Sequence, residues 1–138
     1  MLCKVLVADD STDISELMRV ALERAGYTVD IASCGQEAIR LYRQSIDRAD
    51  LYALIIVDAA MKDKTGFDVA EEVREGNKRT PILMVTAHTE TLIKPHARRI
   101  GINHVLYKPF DSDRLLACVR HLTKCEPKAE WIQSSEIG

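Results

Sequence analysis

Apolar residues fall in two rhythms along this chain, and the rhythms alternate five times. Short runs of strand character are "CKVLV" (3–7), "YTVDIA" (27–32), "ALIIV" (53–57), "ILMVT" (82–86) and "HVLY" (104–107). Between them, apolar positions recur three and four apart, the spacing that lines one side of a helix. The first such stretch stacks Ile14, Leu17, Met18, Ala21, Leu22 and Ala25 and is closed by Gly26. Ser33 with Gln36 reads as a capping box opening the second, which carries Ala38, Leu41 and Tyr42. Thr65 with Asp68 opens a third, with Ala70 and Val73 inside it and a stop before Gly76. A weaker fourth helix is expected from about 89 to 100, interrupted by Pro95 and closed by Gly101. The last sets Leu115, Cys118, Val119 and Leu122 on one face and starts after Asp111 or Asp113.

Regular strand–helix alternation implies parallel strands, because each helix is the crossover that returns the chain. "ALIIV" and "ILMV" are continuously apolar, as strands covered on both faces should be, whereas "YTVDI" keeps polar alternates, as an edge strand would. The expected fold is α/β: a doubly wound, five-stranded parallel sheet in the flavodoxin-like order 2-1-3-4-5. Residues 1–124 form one domain on this reading. The segment "CEPKAEWIQSSEIG" (125–138) has a proline break and no periodicity, and reads as a tail or the start of a linker; Trp131 within it either docks on the domain or does not.

Composition narrows the function classes. The chain has 138 residues and is 46% hydrophobic, enough for one real core. Its net charge of −2 gives no footprint for nucleic acid or for an anionic membrane surface. No apolar run approaches the roughly 20 residues that span a bilayer, and the N-terminus lacks the zones of a signal peptide, so a cytoplasmic location is expected. Cys3, Cys34, Cys118 and Cys125 are scattered without a C-x-x-C pair, which reads as free thiols. His88, His96, His104 and His121 show no metal spacing; His88, two past Thr86, is placed at the rim of any pocket there.

Ligands of open α/β sheets bind beyond the carboxyl ends of the strands. The residues that follow each strand are therefore the ones to compare. The first strand ends in Asp9 and Asp10, the third in Asp58, the fourth in Thr86, and the fifth in Lys108 and Pro109. An aspartate after a strand is ordinarily a helix cap, and a lysine before proline is ordinarily solvated. Cap duty accounts for one acid at residues 9–10 and leaves the second unexplained. Three carboxylates brought to one sheet edge cannot all stay ionised without a compensating cation, and Lys108 offsets only one of them. A hard divalent ion such as Mg2+, held by oxygen ligands, would offset the rest. A carboxylate can also serve as a nucleophile toward phosphorus, with metal, lysine and hydroxyl neutralising the phosphoryl oxygens.

The motifs "VADD" (7–10), "VDAAMKDKTG" (57–66), "VTA" (85–87) and "KPF" (108–110) together resemble the receiver domain of two-component response regulators. The resemblance covers about residues 2–124. It implies that Asp58 is the phosphoacceptor, taking phosphate from a phosphohistidine on a sensor histidine kinase or phosphotransfer protein. It implies Asp9 and Asp10 as acidic-pocket residues, with Asp10, Asp58 and the main-chain carbonyl of Ala60 as ligands of Mg2+. Thr86 matches the switch hydroxyl, Ala87 the small residue that leaves phosphate access open, and Lys108 the lysine that pairs with a phosphoryl oxygen. The Lys108–Pro109 bond is implied to be cis. Downstream, the family signals by conformational change to a protein partner or to further domains. Its own chemistry is confined to autocatalytic phosphotransfer and autodephosphorylation, so no enzyme in the turnover sense is implied. Three positions depart from the family pattern: Lys62 replaces the usual proline, Val105 stands where a switch aromatic is usual, and Pro95 falls within the fourth helix.

Other classes fit less well. A haloacid-dehalogenase-like phosphatase needs a second aspartate two residues after the nucleophile as general acid, and that position is Ala60. A nucleotide-binding flavodoxin-like protein needs a glycine-rich phosphate loop after the first strand, where this chain has its acid pair. The remaining alternative is a degenerate receiver that binds partners without being phosphorylated; the intact Asp9, Asp10, Asp58, Thr86 and Lys108 argue against it. No DNA-binding segment is present in these residues.

Overall fold

The computed structural model describes residues 3–88 and 92–124. Strands β1 (Lys4–Ala8), β2 (Thr28–Ala32), β3 (Leu54–Asp58), β4 (Ile82–Thr86) and β5 (His104–Tyr107) alternate with helices α1 (Thr12–Arg24), α2 (Gly35–Asp47), α3 (Gly66–Gly76), α4 (Ile93–Ile100) and α5 (Ser112–Thr123). The strands are all parallel and lie in the order β2-β1-β3-β4-β5, the doubly wound arrangement expected from the alternation. β3 and β4 are buried at every residue, as their unbroken apolar runs require. β2 pairs with β1 alone and keeps Thr28 exposed, as the polar alternates of an edge strand predict.

Strand alternation divides the core in two. On one face Leu6, Ala8, Ile55, Val57, Ile82, Met84 and Val105 pack with residues of α2, α3 and α4. On the other, Val5, Val7, Leu54, Ile56, Leu83, Val85 and Leu106 pack with α1 and α5, mainly through Met18, Leu22, Leu115 and Val119. Both faces of the sheet are thereby dry, and polar chemistry is confined to the strand ends.

Helix starts follow local chemistry in three cases. Ser11 caps α1 by accepting from the Ile14 amide, Thr65 and Asp68 form the expected capping box on α3, and Asp111 caps α5 by accepting from the Arg114 amide. In two cases they do not. Ser33 and Gln36 form no capping box: α2 starts at Gly35 behind Cys34, whose side chain makes no cap bond, and Ser33 bonds Glu37 Oε1 instead. α4 starts only at Ile93, so Pro95 falls in its first turn, where its missing N–H costs nothing, and the helix is not interrupted. The expected earlier start at 89–91 lies outside the described residues. α3 also runs one residue further than expected and includes Gly76. Cys3 is disulfide-bonded, against the expectation of free thiols, while Cys34 and Cys118 are free. Cys125 and Trp131 lie outside the described residues. No described helix is long and apolar enough to cross a membrane.

One glycine holds the architecture close to the strand ends. A Cβ on Gly66 would sit 2.5 Å from the Asp58 carbonyl oxygen, a backbone atom that cannot rotate away. α3 therefore approaches the end of β3 more closely than any side chain would permit. Gly66→Ala should cost about 1–3 kcal/mol of unfolding free energy in urea. Gly76→Ala, whose Cβ would meet nothing within 4 Å, should be neutral or stabilising by up to about 1 kcal/mol.

Candidate functional site

Register decides which strand ends meet. Ala8 of β1 lies opposite Val57 of β3, so the next residues, Asp9 and Asp58, leave the sheet side by side. On the other side of β3, Asp58 lies opposite Val85, which brings Thr86 one residue further along, and Thr86 in turn lies opposite Tyr107. Lys108 follows directly, its amide donating to the Thr86 carbonyl at 2.8 Å. The Lys108–Pro109 peptide is cis. Four strands thus deliver Asp9, Asp10, Asp58, Thr86 and Lys108 to one edge.

The side chains converge. One carboxylate oxygen from each of Asp9, Asp10 and Asp58 lies within 4.8 Å of the others. Lys108 Nζ stands 3.2 Å from Asp58 Oδ2 and 3.6 Å from Asp9 Oδ2. Asp9 is 1% exposed and Asp58 7%, so this is no solvated acidic patch. Asp9 Oδ1 accepts from the Ser11 amide at 2.8 Å, which fixes its carboxylate at the start of α1. Its other oxygen, Oδ2, is buried without a hydrogen-bond partner. Burial raises the Asp9 carboxyl above its ordinary 3.8, and the charge of Asp58 adds to the rise, against the Ser11 amide and Lys108. The cluster sets three carboxylates, two of them buried and Asp10 half-buried, against one lysine. Oxygen-only donors with an unsatisfied buried carboxylate oxygen suit a hard divalent cation such as Mg2+.

The other residues singled out by the sequence take the following places. Asp58 Oδ1 accepts from the Ala60 amide at 3.3 Å, and Ala60 itself is exposed at the start of the β3–α3 connection. Thr86 is fully buried, and its hydroxyl oxygen accepts from the His88 amide at 3.0 Å, leaving its own proton to donate. Ala87 and His88 are exposed, and Ala87 places only a methyl beside the pocket. Val105 is buried in the α2–α3–α4 core, and Tyr107 packs partly buried against the same cluster with Lys94 Nζ 5.5 Å from its ring centre. The aromatic ring of β5 on the face of Val105 therefore lies at residue 107.

Two residues within the 57–66 motif have roles that the motif-based reading did not assign. Gly66 is needed for the close approach of α3, a demand visible only once α3 and β3 are set together. Asp63 bonds the N-terminus of α2, 28 residues back in sequence, and no local pattern reveals such a pairing.

Comparison with known proteins gives the same picture. A family model described as response regulator receiver domain matches residues 5–120. The chain is 30% identical over 135 residues to the transcriptional regulatory protein CpxR of Klebsiella pneumoniae, covering 98% of this chain and 55% of that protein. It is 32% identical over 142 residues to the uncharacterized transcriptional regulatory protein YrkP of Bacillus subtilis, spanning 58% of that protein. The chain thus spans little more than half the length of these curated relatives. Among solved structures, the chemotaxis protein CheY4 of Vibrio cholerae superposes with a TM-score of 0.81 at 33% identity, over 88% of this chain and 99% of that one. The family match runs from β1 into α5 and so takes in every strand end that feeds the pocket: the chain belongs to the response regulator receiver domain family of two-component signalling systems.

Proposed function

We propose that Asp58 accepts a phosphoryl group from a phosphohistidine of a sensor histidine kinase or phosphotransfer protein, and that the domain signals by the resulting conformational change. The carrying observation is the placement of Lys108 Nζ, 3.2 Å from Asp58 Oδ2 and 3.6 Å from Asp9 Oδ2, in a pocket with more carboxylates than cations. In the transfer, a carboxylate oxygen of Asp58 forms a bond to phosphorus as the bond to the donor imidazole breaks. The imidazole leaves with the electron pair and takes a proton. Lys108, already beside Asp58, pairs with a phosphoryl oxygen. The Thr86 hydroxyl turns its proton to another, and Ala87 leaves the path open. Positioning and charge neutralisation of this kind are most of what phosphoryl transfer requires.

Asp10, Asp58 and the Ala60 carbonyl would hold Mg2+, with Asp9 contributing charge from behind. The ion supplies positive charge against the phosphoryl oxygens when bound. On this reading residues 1–124 are the receiver unit and 125–138 a tail or linker start. The output passes to a protein partner or to further domains, in the cytoplasm and without direct nucleic-acid contact by these residues. The intact set of five groups favours phosphoacceptance over a degenerate receiver.

Incubation with acetyl phosphate and Mg2+ should add one phosphoryl mass to the intact protein, and Asp58→Asn should abolish the adduct. An adduct of equal yield in Asp58→Asn would refute the assignment. Mg2+ affinity, read by calorimetry, should fall as pH falls, because protons and the ion compete for the same carboxylates and burial already favours the protonated form of Asp9. Asp10→Asn should weaken binding by at least about tenfold at neutral pH; unchanged affinity would remove Asp10 from the ligand set.

A further inference from the structure

The connection between β3 and α3, residues 59–65, starts at the proposed phosphoacceptor and carries the proposed carbonyl ligand, Ala60. It is pinned at its two ends by local bonds. At the start, the Ala60 amide donates to Asp58 Oδ1 and the Gly66 amide to the Ala59 carbonyl at 3.0 Å. At the finish, Thr65 and Asp68 exchange the two bonds of the α3 capping box. Its middle is pinned by something else. Asp63 Oδ1 accepts from the Gly35 amide at 2.9 Å, and Asp63 Oδ2 from the Gln36 amide at 2.8 Å.

Those two amides are the first of α2, and the residue in the N-cap position, Cys34, caps nothing with its side chain. A helix start needs acceptors for its free N–H groups. Here the acceptor is lent by another element. The carboxylate is well suited, since the helix terminus favours a negative charge. The Asp63 carboxyl is accordingly held down at about 2, first by the Gln36 amide and next by the Gly35 amide. Contact is close as well as polar: a Cβ on Gly35 would lie 2.8 Å from Lys64 Cβ and 3.3 Å from the Lys64 carbonyl oxygen. α2 and the middle of the loop therefore fit only with glycine at residue 35.

We propose that Asp63 is a positioning residue of the phosphorylation site: it moors the loop that carries Ala60 on the first turn of α2, so that ion binding at the acid cluster and order at the start of α2 are energetically coupled. The proposal rests on the reading of the acid cluster as a Mg2+ site. Asp63 touches neither the ion nor the phosphoryl group in this account. It limits the excursions of the loop that presents the carbonyl. Coupling of this kind is reciprocal. An ion that orders the loop must also strengthen the Asp63 bonds to Gly35 and Gln36, and loss of those bonds must weaken ion binding.

The test combines Mg2+ calorimetry with amide hydrogen exchange, on wild type, Asp63→Ala, Asp63→Asn and Asn103→Ala. Asn103 accepts from the Ile82 amide and from Arg74 at the opposite end of the sheet, so its loss destabilises the protein without touching the loop. Asp63→Ala should raise the Mg2+ dissociation constant by about tenfold, the scale seen when outer supports of a metal site are removed. Asp63→Asn keeps one acceptor oxygen and should fall between; it carries the comparison if the alanine variant does not fold. Asn103→Ala should bind as wild type does. In wild type, Mg2+ should slow exchange of the Gly35 and Gln36 amides, and in Asp63→Ala it should not. Wild-type affinity in both folded Asp63 variants, or Gly35 and Gln36 amides indifferent to bound Mg2+ in wild type, would overturn the role of Asp63 alone. Absence of Mg2+ binding to wild type would overturn the metal-site reading and the mooring together.

Discussion

Three carboxylates share one end of the central sheet with a single ammonium group, and the surrounding structure answers to that imbalance. The parallel register makes it unavoidable. With Ala8 opposite Val57, whatever follows those residues must emerge side by side, and here both are aspartate. Each acid is then given limited help. Asp9 has the Ser11 amide and, 3.6 Å from its Oδ2, Lys108; Asp58 has the Ala60 amide and Lys108; and Asp9 Oδ2 is left buried with no hydrogen bond. A buried carboxylate oxygen without a hydrogen bond costs stability. Such a cost is understandable in a site that, as proposed above, takes a divalent cation.

The strand–helix connections complete this edge of the sheet. Every helix that follows a strand starts at this edge, and α3 lies close against the end of β3 because Gly66 has no side chain to hold it off the Asp58 carbonyl. The loop between β3 and α3 is tied to its own helix by a capping box and to α2 by Asp63. On the β4–β5 side stand the buried Thr86 hydroxyl and Tyr107, which lies opposite Thr86 in register and carries its ring against Lys94. Val105 is buried and small. An outward–inward swing of a ring at 105 is therefore not available to this chain, and under the proposed phosphorylation mechanism a moving ring would have to be that of Tyr107.

What could be read from the sequence was whatever depends on neighbours in sequence. The five strands emerged because burial on both faces writes unbroken apolar runs into β3 and β4. The site emerged because strand ends in a parallel sheet share an edge, so "DD", Asp58, Thr86 and Lys108 can be summed without knowing any distance. The Thr65–Asp68 cap emerged because both of its bonds span three residues. The cap of α2 did not, because its acceptor comes from 28 residues further along; the Ser33 and Gln36 pattern pointed instead to a local solution. α4 was misjudged for a related reason. Proline forbids a helix interior but suits a first turn, and its effect depends on where the helix starts. The Cys3 disulfide is a pairing that cysteine spacing cannot supply.

The central claim is that negative charge at the acid cluster is held in excess for a cation, and melting temperature tests it most directly. Wild type and Asp9→Asn should be compared at neutral pH, once with a chelator and once with saturating Mg2+; asparagine retains an oxygen to accept from the Ser11 amide. The account predicts that Asp9→Asn melts higher than wild type in chelator, because a buried like charge is gone, and that Mg2+ raises the wild-type melting temperature by the larger amount. Equal gains from Mg2+ in the two proteins, with Asp9→Asn the less stable in chelator, would contradict it.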